Sequence, residues 1–274
     1  MVIQFGTTNA PADFLGYIHN TIREALDDFA SAYLDDVSIH SYSEEEHVEL
    51  VKWIMQCFLE AGLYLIPEKC EFRKETVRYL GLIISTKGIL LIEDMVETVR
   101  NWSREKRTKT GRLNCLFKVP QFLAFCNYQQ WFISKYSETA EPLTRLTKKD
   151  EPFVWGAQQQ LAFETMVTAF TMAPVLPHSN HGREVIIVTD ASDYVSAVVL
   201  TLYDDEGVQH PVAYFSKKHT SPKCNYDIYD KELIAITEAL EEWRPECVGA
   251  AYPLQLITNH MNFQYFMRKK LQNR

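Results

Sequence analysis

Three carboxylate-bearing segments stand out by type and spacing: Asp35 and Asp36 after Tyr33-Leu34, Asp190 in Thr189-Asp190-Ala191-Ser192, and Glu232 in Asp230-Lys231-Glu232-Leu233, 42 residues beyond Asp190. An adjacent aspartate pair is weak evidence alone, because Asp27-Asp28 and Asp204-Asp205 also occur and such pairs are commonly solvated turns. Context separates them. The stretches from Phe29 to Leu34 and from Val37 to Ser41 read as two short strands joined at a two-residue acidic turn, Asp35-Asp36. Crowding like charges at such a tip is costly unless a cation sits between them, and Mg²⁺ favours a few carboxylates completed by water and substrate phosphates. The pair therefore suggests metal-assisted phosphoryl transfer. Asp190 and Glu232 taken singly read more readily as a helix or turn cap and a first-turn helix glutamate than as a site.

The elements that must position these groups are legible in the periodicity. Residues 12–28 read as a helix, with Phe14, Ile18, Ile22 and Leu26 at i, i+4 spacing. After the acidic hairpin, Ser43 and Glu46 match a capping box opening a helix through Val48, Val51, Ile54, Met55 and Phe58 that stops at Gly62. Residues 76–84 read as a strand or hairpin. Helical patterns return through Leu123, Tyr128, Trp131 and Phe132 and again over 158–170. Strands are expected over 185–188, 197–203, 212–216 and 254–258, with a helix over 230–240, so that Asp190 ends a strand and Glu232 sits in a first helical turn.

The order and spelling of these motifs resemble one family over nearly the whole chain. Phe5, Gly6, Thr7, Thr8, Asn9, Ala10 and Pro11, then Tyr33 to Asp36, Gly62-Leu63, Pro67 to Phe72, Tyr79-Leu80-Gly81 and Ile84-Ser85 resemble the palm of gypsy-type long-terminal-repeat retrotransposon reverse transcriptase. Phe122 to Phe125, Glu141-Pro142-Leu143, Ala173 to Leu176, Thr189 to Tyr194, Asn225-Tyr226 and Asp230 to Leu233 resemble the connecting region and ribonuclease H domain of the same polyprotein. The resemblance implies an α+β chain: a partial, ferredoxin-like palm over 1–92, a helical thumb and connection with a basic insertion over 93–150, and an incomplete ribonuclease H-like α/β domain over 151–274. It implies RNA-directed DNA polymerisation and cleavage of RNA in RNA/DNA hybrids, both by two-metal phosphoryl transfer with Mg²⁺. Asp35, Asp36, Asp190 and Glu232 are the implied catalytic and metal-binding residues. Phe5, Gly6, Asn9, Ala10 and Pro11 would line the nucleotide and template pocket, and Tyr79, Leu80 and Gly81 would lie on the primer side. Template-primer or hybrid nucleic acid is the implied partner, with protease and integrase as neighbouring polyprotein domains.

The sequence also departs from the pattern. The family's earlier aspartate-bearing strand would precede Met1, and the last ribonuclease H ligand would follow Arg274. Leu256 to His260 aligns with a Thr-Asp-His motif, so Asn259 stands where a metal-binding aspartate is expected. A neutral amide offers Mg²⁺ an oxygen but no charge. The expectation is impaired catalysis, with weak metal binding; the alternative is a non-catalytic nucleic-acid- or protein-binding remnant of a decayed element.

Composition limits these readings. A chain of 274 residues with 46% apolar content can bury real cores. No apolar stretch is long enough to cross a membrane and no signal core opens the chain, so an intracellular location, cytoplasmic or nuclear, is expected. Six cysteines without a C-x-x-C pair argue for free buried thiols rather than a zinc site. The net charge of -8 opposes nucleic-acid binding on average, yet residues 101–150 carry 10 basic against 4 acidic side chains, whereas 1–100 carry 8 against 17 and 151–274 carry 10 against 15. Arg104, Lys106, Arg107, Lys109, Arg112 and Lys118 are the expected contacts to a nucleic-acid backbone.

Overall fold

The computed structural model describes residues 8–26, 28–105, 118–149 and 151–258. The chain divides after Thr86 into two compact units, Met1–Thr86 and Lys87–Arg274. It is a mixed α/β protein.

In the first unit, helix α1 (Ala10–Thr21) is followed by a hairpin of β1 (Ala30–Tyr33) and β2 (Asp36–Ile39), helix α2 (Glu44–Glu60), and a second hairpin of β3 (Thr76–Tyr79) and β4 (Leu82–Ser85). The helix expected to run to residue 28 stops at Thr21. The chain must turn back so that Ala30 can join the core, and the Ala30 amide bonds the Ala25 carbonyl to make that turn. Ile22 and Ala25 stay fully buried without helical geometry, packed with Ile18, Ala30, Ile54 and Phe58. The α2 start has the expected cap with one difference. Ser43 Oγ accepts from the Glu46 amide, and Glu46 reaches back to the Tyr42 amide, one residue earlier than in the standard box. At the other end the Gly62 amide bonds the Leu59 carbonyl and the Leu63 amide the Phe58 carbonyl, with Gly62 at φ +69°, which is a Schellman stop.

The second unit begins with β5 (Gly88–Leu91), whose Ile89 exchanges two backbone hydrogen bonds with Leu176. Helices α3 (Glu93–Glu105), α4 (Lys118–Tyr128), α5 (Tyr136–Thr139), α6 (Glu141–Arg145) and α7 (Ala157–Thr171) follow. Helix α3 falls in the region expected to be a helical thumb and connection, and it buries Val99 and Trp102. The rest is β6 (Val185–Ala191), β7 (Val195–Tyr203), β8 (Gln209–Lys218), the short α8 (Ser221–Cys224), α9 (Ile228–Glu242), α10 (Arg244–Cys247) and β9 (Gln255–Thr258). The sheet order is β8-β7-β6-β9, antiparallel except for the parallel β6/β9 pair. Fully buried Ala235 and Ala239, one turn apart on α9, let the helix backbone approach the sheet, and Trp243 closes the core against Phe215.

Candidate active site

The first acidic site is a tight hairpin whose loop is one residue earlier than expected. Tyr33 pairs with Asp36, so Leu34 and Asp35 form the loop and Asp36 opens β2. Leu34 adopts φ +53°, a left-handed backbone that costs a non-glycine residue about 1–2 kcal/mol. Such strain persists only where surrounding packing fixes the turn. Here His19 Nε2 bonds the Ala32 carbonyl and His40 Nε2 the Asp28 carbonyl, while Ala32, Val37 and Ile39 pack on the first unit's core. Both aspartates are exposed. Neither forms an ion pair with another described residue.

Of the expected pocket residues, Phe5 and Gly6 lie outside the described residues. Asn9 caps α1 without a side-chain bond, Ala10 is buried, and Pro11 occupies the first turn, where a missing N–H costs nothing. Tyr79, Leu80 and Gly81 form the tip of the β3/β4 hairpin, with Tyr79 pairing Leu82. Leu80 at φ +49° and Gly81 at φ +77° give the two-residue turn of primed type that matches strand twist.

The second acidic site is built at the end of the larger sheet. Asp190 lies next to last in β6, half-exposed, and Glu232 sits in the second turn of α9, only 3% exposed. The helix begins at Ile228 rather than at residue 230, so Glu232 falls one turn later than expected, and it meets β6 through the Ala191 amide next to Asp190. Glu232 Oε1 accepts from the Ala191 amide at 3.1 Å, and its Oε2 accepts from Thr189 Oγ1 at 3.2 Å and Thr258 Oγ1 at 3.1 Å. A carboxylate offers about four acceptor positions, and the described residues fill three of them on Glu232. Thr189 and Thr258 are register partners across the parallel β6/β9 pair, which puts the end of β9 beside the carboxylates. Asn259 is the next residue and lies outside the described residues.

Several residues at this site carry no sequence signal. Lys135 Nζ stands 2.7 Å from Asp190 Oδ2, and the hydrogen bond to Asp190 holds its ammonium above the ordinary lysine value. Lys231, nearly fully buried beside Glu232, bonds Asp193 Oδ1 at 3.1 Å. Among the described residues no group of three or more His, Cys, Asp or Glu could hold a metal ion. One of the two carboxylates, Asp190, is already paired with the Lys135 ammonium.

Buried Ser196 and His219 stabilise the β6/β7 turn, with Oγ to Nε2 at 2.8 Å and the His219 amide on the Tyr194 carbonyl. Burial pushes His219 below the ordinary histidine value, against the opposing pull of the Asp193 carbonyl and Glu238. The neutral ring belongs to the fold. As pH falls below about 6.5 the unfolded chain takes the proton first, so this contribution is complete above that pH and declines below it. Urea unfolding at a series of pH values should show a drop that His219→Gln removes; equal pH profiles would contradict it.

The basic block is only partly described. Arg104 lies in α3 and Lys118 opens α4, so both ends of the block are helical. Lys106, Arg107, Lys109 and Arg112 lie outside the described residues. The described cysteines Cys57, Cys70, Cys126, Cys224 and Cys247 are free, but only Cys126 is buried, and burial raises its thiol strongly. No helix among the described residues is long and apolar enough to cross a membrane.

Residues 1–84 match the reverse transcriptase (RNA-dependent DNA polymerase) family, and residues 155–254 match the RNase H-like domain found in reverse transcriptase. Over 262 residues the sequence is 34% identical to the Transposon Tf2-3 and Tf2-7 polyproteins of Schizosaccharomyces pombe, an alignment covering 96% of this chain and 19% of each relative. The chain belongs to the reverse transcriptase and ribonuclease H segment of gypsy-type retrotransposon polyproteins. It spans about a fifth of the length of those relatives. The fold is shared with a foamy viral protease-reverse transcriptase in complex with double-stranded DNA, with TM-score 0.74, 20% identity, and 97% of this chain against 45% of that one. A foamy viral protease-reverse transcriptase in complex with an RNA/DNA hybrid gives TM-score 0.74 and 21% identity, covering 98% of this chain and 35% of that one.

Proposed function

We propose that this retrotransposon segment descends from an RNA-directed DNA polymerase and RNA/DNA-hybrid ribonuclease, with Asp190 and Glu232 as the ribonuclease metal ligands and catalysis impaired at Asn259. The observation that carries the reading is the direct bond from the Ala191 amide to Glu232, which ties the helix carboxylate to the residue beside Asp190. Two features favour a divalent cation here. Asp190 is half-exposed and already attracts an ammonium, and the described residues fill three of the about four acceptor positions on Glu232. When bound, Mg²⁺ would supply the charge that stabilises a phosphodiester transition state. The chain's own part is orientation: two threonine hydroxyls and one amide fix the Glu232 carboxylate, and the β6 strand end sets Asp190 beside it.

In this reading residues 1–92 are a palm portion with Asp35 and Asp36 as its metal-binding pair, 93–150 a thumb and connection, and 151–274 the ribonuclease H domain. Asn9, Ala10 and Pro11, with Phe5 and Gly6, serve the nucleotide and template pocket, and Tyr79, Leu80 and Gly81 the primer side. The partners are template-primer or hybrid nucleic acid and, in an intact element, protease and integrase domains, in an intracellular setting. A non-catalytic binding remnant is the second reading, favoured by the amide at position 259.

Replacing Asn259 by aspartate restores a charged ligand. We expect Asn259→Asp to tighten Mg²⁺ binding by about tenfold in calorimetry, the equivalent of ~1.4 kcal/mol. Equal affinity in parent and variant would remove position 259 from the site.

Nucleic-acid affinity should reside largely in residues 104–118, the basic block. Replacing Lys106, Arg107, Lys109 and Arg112 by alanine should flatten the log-log salt dependence of duplex DNA binding by about 0.9 per lost phosphate contact. An unchanged slope would leave the segment as a linker.

A further inference from the structure

We propose that Lys135 is a tethered counter-cation of Asp190, delivered by the connecting segment, and that it competes with a divalent ion for that carboxylate. The proposal rests on the reading of Asp190 and Glu232 as metal ligands. The contact joins residues 55 apart in sequence, at 2.7 Å from Nζ to Oδ2. A Mg²⁺ ion would sit about 2.0–2.1 Å from a ligand oxygen, so an ammonium this close to Oδ2 and an ion bound through that oxygen would crowd each other.

An ion pair whose side chains are 50% and 48% exposed is ordinarily a weak surface feature. This one is held by its backbone. Ile133 and Tyr136 on either side of Lys135 are buried, and the Tyr136 hydroxyl donates to the Leu123 carbonyl. Ser137 bonds Ser216 twice: its amide donates to Ser216 Oγ and its hydroxyl donates to the Ser216 carbonyl, both at 2.8 Å. Lys218 Nζ reaches Glu141 Oε1 at 2.9 Å, where Arg145 also bonds, so α5 and α6 are fastened to the β8 edge. Lys135 itself adopts φ +52° at the start of α5, a conformation that non-glycine residues hold only when their surroundings impose it. The segment thus presents one lysine to one carboxylate with its backbone order already fixed. Little chain entropy opposes the pair, and a cation entering the site must displace a neighbour that stays nearby.

Two consequences follow for the protein as it stands. Metal affinity is lower than the carboxylates alone would give, and metal binding frees the Lys135 amine. Calorimetric titration with Mn²⁺ should show Lys135→Met binding about three- to tenfold tighter than the parent, with Lys135→Arg close to the parent and Asp190→Asn losing the site. If Asp190→Asn abolishes binding while Lys135→Met binds no more tightly than the parent, the counter-cation is wrong and the ligand assignment stands. If Asp190→Asn binds like the parent, the ligand assignment itself fails. The unmodified chain gives an independent reading. Mg²⁺ should raise the rate at which an amine-acylating reagent modifies Lys135, measured by mass spectrometry relative to Lys52, and an unchanged relative rate would overturn the proposal.

Discussion

Phe163→Ala is expected to destabilise the second unit by about 3–5 kcal/mol, the range for removing a buried phenylalanine and leaving a cavity. Phe163 is 1% exposed on α7. Its ring lies 4.8 Å from that of Phe122 and 6.2 Å from that of Trp155, and Phe122 in turn lies 5.7 Å from Trp102. One side chain therefore joins α7 to α4 and, through it, to α3. The loss includes two aromatic ring contacts, worth about 0.5–1.5 kcal/mol each beyond their area. Phe163→Leu keeps much of the volume and should cost less than half as much. Urea unfolding monitored by far-UV circular dichroism checks both, and a Phe163→Ala midpoint equal to that of the parent would mean the cluster does not hold the helices together.

Glu232→Ala should cost about 3 kcal/mol, an unusual result for a residue assigned to binding. Deleting the carboxylate strands the buried Ala191 amide and takes one partner from each of the Thr189 and Thr258 hydroxyls, and an unpaired buried donor costs about 1–3 kcal/mol. Glu232→Gln should fall within about 1 kcal/mol of the parent, because an amide oxygen can keep the Ala191 bond and threonine hydroxyls can accept as well as donate. The pair of variants separates structure from charge. A Glu232→Ala protein as stable as the parent would mean that water replaces the carboxylate freely and that the three donors do not define the site.

The larger sheet was legible because its strands are apolar, β-branched and separated by turn residues, and because Asp190 and Glu232 occur within strongly patterned segments. Its strand limits were less so. The strand expected to start at Val212 begins at Gln209, since Pro211 in an edge strand is accommodated by a register shift opposite Leu200 and Thr201. The acidic hairpin was displaced by one residue for a related reason. Its left-handed position is filled by Leu34, which gives none of the glycine or asparagine signal that marks such turns. The end of α1 was set by a long-range demand, the return of Ala30 to the core, which periodicity cannot register. Lys135 was invisible for the same reason: its partner is 55 residues away, and only the docking of α5 on β8 brings them together.

The assignment of Asp190 and Glu232 as a shared metal site is tested most directly by paramagnetic broadening of backbone amide resonances during Mn²⁺ titration. Broadening should begin at residues 189–192 and 230–233, around the two carboxylates, and should vanish from both segments together in Asp190→Asn. Broadening that begins instead at an acidic surface turn such as Asp204 to Glu206, or that persists at residues 230–233 in Asp190→Asn, would contradict the account.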